Sequence, residues 1–132
     1  MITEDYVSFE TAKLLKEKGF DVPCNCYGTF NSVNLAYRFC LTDKYTDWNK
    51  HFGKTIISCP TLQIAMKWLR EVHNLAIQIE LIDFLEHGEV WLYSVIERKT
   101  IKQLTGRDED FTEHSYEEAC EAAIRYCLEN LI

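Results

Sequence analysis

Residues 89–99 read EVWLYSVIERK, and the fold class turns on that run. Trp91, Tyr93 and Val95 fall on one face of an extended chain, and Val90, Leu92, Ser94 and Ile96 on the other, because side chains alternate across a strand. Such β-branched and aromatic residues suit a pleated surface. Both faces are largely apolar, which predicts a strand that is central or covered on both sides. Upstream, IQIELIDF at 77–84 has the same character, and LEHG at 85–88 separates the two runs. Two such runs around a short polar break with a glycine predict an antiparallel hairpin.

The apolar period changes on either side of the hairpin. Over Ser8–Lys18, Phe9, Ala12, Leu14 and Leu15 make one side of a helix, with Ser8 as its cap. Gly19 can take the left-handed conformation that ends it, with Phe20 folding back. In PTLQIAMKWLREVHN, 60–74, the residues Leu62, Ala65, Met66, Leu69 and Val72 recur at three- and four-residue spacing, which predicts an amphipathic helix. Thr61 is its cap and Asn74 its stop. Ser115 to the C-terminus opens on a capping box, Ser115 with Glu118, and runs on through alanines, so it reads as a third helix. LAYRFCLT at 35–42 and KTIISC at 54–59 are further strand candidates. DKYTDWNKHFG, 43–53, and QLTGRDEDFTEH, 103–114, read as exposed connections. The order predicts an α+β domain, three helices packed on a small, mostly antiparallel sheet, with residues 1–132 as a single domain.

The chain has 132 residues, 47% of them hydrophobic and 27% charged. That size supports a core without a disulfide or metal staple. The start, MITEDYVSFE, has neither the basic head nor the apolar run of a signal peptide, and no run reaches the ~20 apolar residues of a membrane helix. The expectation is a soluble cytoplasmic protein with reduced cysteines.

Three segments, MITEDYVSFETAKLLKEKGFD, PTLQIAMKWLREVHN and YEEACEAAIRYCLENLI, resemble a group of small, uncharacterised proteins from gut bacterial genomes and their phages or mobile elements. The resemblance covers both ends and the central helix. It implies an accessory protein of a mobile element that binds a host or phage component, and it carries no catalytic motif with it.

Candidate chemistry is sparse. Cys24 and Cys26 form CNC, one residue short of the usual zinc spacing. Cys120 and Cys127 share a helix face with alanines and read as core. Cys59 precedes a helix start, where a thiolate is stabilised, and with a histidine it is the nucleophile of a rival reading, a small enzyme with a Cys/His pair. His73 at a helix end is explained by the helix dipole. There is no P-loop, G-x-G-x-x-G, H-E-x-x-H or G-x-S-x-G motif, and no cofactor is implied.

Charge is more informative. Residues 107–121, RDEDFTEHSYEEACE, hold seven acids and one arginine, while the whole chain is net −7. A negative patch attracts basic protein surfaces and repels phosphate. The expected partner surface is therefore Asp108, Glu109, Asp110 and Glu113, with Trp48 as a second anchor among the aromatics Tyr27, Phe30, Tyr45 and Phe52. The reading is a non-enzymatic interaction or accessory module whose partner is a protein with a basic surface. Nucleic-acid binding is the further alternative. It rests on two small basic groups, Lys13, Lys16 and Lys18, and Arg98, Lys99 and Lys102. Oligomeric state is not set by the sequence; a sheet edge or the Trp48 segment is where a second copy would meet the first.

Overall fold

The computed structural model describes residues 1–31, 37–51, 53–83 and 88–132. Their elements are α1 (Phe9–Glu17), β1 (Cys24–Phe30), β2 (Tyr37–Thr46), α2 (Trp48–His51), β3 (Ile56–Ser58), α3 (Leu62–His73), β4 (Leu75–Asp83), β5 (Glu89–Glu97), β6 (Lys102–Gln103), β7 (Thr112–Glu113) and α4 (Tyr116–Tyr126). The fold is α+β. Among the described residues the strands make two antiparallel sheets, β2-β1-β3 and β4-β5-β6 with β7 also on β5, where the sequence suggests one. Backbone contacts divide the chain into two compact units, Met1–Ile64 and Ala65–Ile132. No helix is long and apolar enough to cross a membrane among the described residues.

In the first unit α1 starts as its sequence requires. The Ser8 hydroxyl accepts from the Thr11 amide at 3.2 Å. Gly19 stops the helix at φ +88°, and the Phe20 amide donates to the Leu15 carbonyl at 2.9 Å, a left-handed C-terminal cap. The helix buries Phe9, Thr11, Ala12 and Leu15. Lys16 reaches the carbonyls of Gly53 and Ile56 at 2.6 and 3.1 Å, and burial lowers its pKa. Asn49 of α2 donates to the Phe20 carbonyl and accepts from the Ser58 amide, both at 2.9 Å.

β1 is one of the strands that sequence reasoning missed. CNCYGTF buries Cys24, Cys26 and Gly28 in alternation. The glycine has a packing cause. A Cβ on Gly28 would lie 3.2 Å from two carbons of the Phe9 ring and 3.3 Å from the Cys59 sulfur. The backbone here is the surface on which Phe9 rests. β2 pairs regularly with β1 over Tyr37–Leu41, and then the register slips, with Cys26 opposite Leu41 but Cys24 opposite Thr46. The Thr42 hydroxyl donates to the Lys44 carbonyl at 2.8 Å across the extra residues, as in other bulged edges. So β2 runs into the segment read as a loop, and α2 takes up part of the rest.

α3 straddles the division between the units. The Thr61 hydroxyl accepts from the Ile64 amide at 3.2 Å, and Asn74 ends the helix at φ 58°. Leu62, Ala65, Met66 and Leu69 are buried as their spacing implies, while Val72 is exposed.

In the second unit β4 and β5 pair without a slip from Leu75 opposite Glu97 to Asp83 opposite Glu89. Most of the hairpin tip, residues 84–87, lies outside the described residues. Leu92 and Val90 on one face of β5, and Tyr93 and Val95 on the other, are buried, so the strand is covered on both sides as expected. α4 covers the Tyr93 face with Ala119 and Ala123. Ser115 caps that helix, accepting from the Glu118 amide at 3.1 Å, and the chain closes in a π-helical turn, Cys127–Leu131.

Gly28→Ala should lower stability by roughly 1–3 kcal/mol, the usual cost of overfilling a packed site, read as a lower urea midpoint at unchanged slope. A loss under about 0.5 kcal/mol, the size of an ordinary surface change, would show that Phe9 moves aside freely.

Candidate functional site

The acidic segment is built rather than loose. Gly106 lies so close to Phe111 that a Cβ on it would sit 2.9 Å from the ring. The Phe111 ring packs edge-on to Tyr93 at 5.7 Å and to Tyr126 at 5.6 Å. That anchor draws the middle of the segment inward. Asp108 then caps a single 3-10 turn, Glu109–Phe111, its carboxylate accepting from the Asp110 amide at 3.1 Å. The Thr112 hydroxyl donates to the Glu109 carbonyl at 2.9 Å, and the Tyr93 hydroxyl to the Asp110 carbonyl at 3.4 Å. The chain leaves the turn as β7, with Glu113 opposite Trp91 of β5. The segment read as an exposed connection is thus partly sheet. Buried Thr105 is bound in as well, its hydroxyl accepting from the Val95 amide at 3.2 Å.

These constraints leave Asp108, Glu109 and Asp110 exposed and Glu113 half-buried. Burial first, and the nearby Glu118 carboxylate second, raise the Glu113 pKa against the opposing effect of His114. Arg107, the one base of the segment, is turned to Glu80 of β4 at 3.0 Å. Four of the five residues expected from the sequence therefore lie on one short stretch of the second unit.

Trp48 is in the first unit. Its indole N–H donates to the Cys24 carbonyl at 2.9 Å, and its ring lies 4.4 Å from that of Tyr27. It is half-buried. The exposed apolar surface of this unit is on β2 instead. Tyr37, Phe39 and Leu41 alternate along that strand and line a cleft of about 390 Å³ with Tyr6, Val7, Phe9 and Cys26. Phe9 and Tyr37 stack at 4.4 Å with planes 5° apart, and Phe39 stands edge-on to Tyr37 at 5.6 Å. YRFCL carries the signal as a period of two, but a strand candidate alone does not say which of its faces is exposed. Tyr45 is exposed, Tyr27 and Phe30 are half-buried, and Phe52 lies outside the described residues.

The thiols sit inside. Cys24, Cys26, Cys59, Cys120 and Cys127 are buried and Cys40 half-buried. The Cys26 carbonyl accepts from the Cys24 thiol at 3.2 Å and the Cys59 amide at 2.9 Å. A hydrogen bond between the Cys26 and Cys59 thiols, with burial second, pushes the Cys59 pKa up, and the same bond lowers that of Cys26. Burial pushes Cys127 up to about 12. A nucleophile needs the thiolate, which Cys59 holds poorly. Among the described residues no three His, Cys, Asp or Glu side chains are grouped to hold a metal ion. The His73 ring stands edge-on to Trp68 at 4.6 Å, and its Nε2 is buried with no hydrogen-bond partner among the described residues. No protein-family model, curated protein or solved structure matches the chain.

Native protein treated with iodoacetamide should be alkylated first at Cys40, and more slowly at the five buried thiols, as peptide mass mapping would show; early labelling of Cys59 would contradict its burial. The raised Glu113 pKa means that the native state holds this proton above the pH at which the unfolded chain loses it. Stability from this group is present at low pH and is lost as pH rises through the native value. Glu113→Gln should therefore raise the melting temperature at about pH 7, and the gain should vanish by about pH 3, below the ordinary carboxylate value near 4.3. An equal gain at both would trace the effect to packing.

Proposed function

We propose that the chain is a small non-enzymatic interaction module, and that its acidic segment, Asp108, Glu109, Asp110 and Glu113, meets a basic surface on a protein partner. The carrying observation is the anchored turn. Phe111 fixes the segment, and the three leading carboxylates are exposed with their own arginine turned aside to Glu80. Fixed like charges attract a basic partner over about a Debye length, ~8 Å at physiological salt, and need little reordering on contact. Acids in the first turn of α4, Glu117 and Glu118, extend the same field. The resemblance of the helical segments supports an accessory role in a phage or mobile element, acting in the cytoplasm.

Affinity capture from host cells tests this reading with the wild type and with Asp108→Asn, Glu109→Gln and Asp110→Asn combined. Asn still caps a helical turn, so the triple change removes charge and keeps the fold. A basic partner should be held by the wild type, released by added salt and lost from the variant. Identical partners on both proteins would reject the acidic surface.

A further inference from the structure

We propose that the chain forms a symmetric dimer by antiparallel pairing of β2 with β2 of a second copy, closing the aromatic cleft. Among the described residues β2 is the outer strand of its sheet. An edge strand carries unpaired backbone groups along one side, and edges meant to stay single are usually guarded by lysine, proline or an early bulge. The regular run Tyr37-Arg38-Phe39-Cys40-Leu41 has no lysine or proline; Arg38 is its single charge, and the register slip comes after Leu41.

The run also matches itself. With Phe39 on the two-fold axis, Tyr37 of each copy faces Leu41 of the other and Phe39 faces Phe39, all on the cleft side. On the opposite side Arg38 faces Cys40, so the one charge of the run meets a neutral thiol and not its own copy. Antiparallel neighbours of this kind are the pairs that stabilise a sheet.

Area and charge favour a second copy. Tyr37, Phe39 and Leu41 are 47%, 43% and 68% exposed. Together they present on the order of 300 Å² of apolar side chain, at the lower end of functional patches. Two copies bring about 600 Å², and the paired backbones and strand flanks carry the interface towards the ~1,200 Å² at which specific association begins. Residues 1–64 hold seven acidic and seven basic side chains, while residues 65–132 hold fourteen and seven. The unit that carries β2 is therefore neutral, and neutral surfaces associate without charge repulsion.

The test is molar mass by sedimentation equilibrium across a concentration series. The wild type should shift from monomer to dimer. Leu41→Lys, at the most exposed of the three cleft positions, and Phe39→Lys should both stay monomeric, with circular dichroism confirming the fold. The register is read separately from Phe39→Cys in a Cys40→Ser background, oxidised with copper-phenanthroline. Cysteines on the axis should cross-link each other into a covalent dimer. A wild type that is monomeric throughout overturns the proposal, whether or not an extended apolar peptide or a small apolar ligand then fills the cleft. A dimer that survives both lysine variants, or one that gives no cross-link at position 39, overturns it as well.

Discussion

In each compact unit a phenylalanine ring rests against a glycine backbone, and the exposed surface next to it takes its shape from that contact. Phe9 lies on Gly28, and Phe111 lies close against Gly106. A ring can approach a peptide plane this closely only where no Cβ intervenes. Phe9 then stacks on Tyr37 and becomes a wall of the cleft. Phe111 goes inward to Tyr93 and Tyr126, and its neighbours on the turn, Glu109 and Asp110, are exposed. The two surfaces thus share a cause although one is apolar and the other anionic.

Charge is divided as unevenly as shape. Formal charge cancels over residues 1–64, and the whole net −7 falls in residues 65–132. A field of one sign raises encounter rates with oppositely charged partners and lowers them with phosphate backbones. The local reason for some of the acids is plain: Asp108 caps a turn, and Glu117 and Glu118 stand in the first turn of α4. Glu109 and Asp110 stand in the single 3-10 turn itself, where their backbones, not their side chains, make the hydrogen bonds. Exposed charge without a structural use is where a binding role has most room.

Much of the framework was legible in the sequence. Ser8, Thr61 and Ser115 cap their helices, Gly19 and Asn74 end theirs with positive φ, and β5 is buried on both faces. Those features depend on neighbours a few residues away, so a local pattern carries them. β1 was missed because the reason for its glycine is Phe9, nineteen positions earlier in the chain. β6 and β7 were missed because two-residue strands have no period to read, and their pairing with β5 is set by the tertiary path. The candidate surface followed the same rule. Composition located the acids, but which of them would be exposed depended on Phe111, and no spacing shows which way that ring turns.

The thiols show why counting reactive residues misleads. Six cysteines suggest chemistry, yet Cys24, Cys26 and Cys59 are buried, and the Cys59 sulfur lies beside Phe9 over the Gly28 backbone. Cysteine is smaller than valine and fills a narrow gap between a strand and a ring. A larger residue at Cys59 would press on Gly28, and a polar one would have to find a partner among buried groups. Packing therefore gives Cys59 a structural reason, one that the exposed Glu109 and Asp110 side chains and the exposed Leu41 do not share.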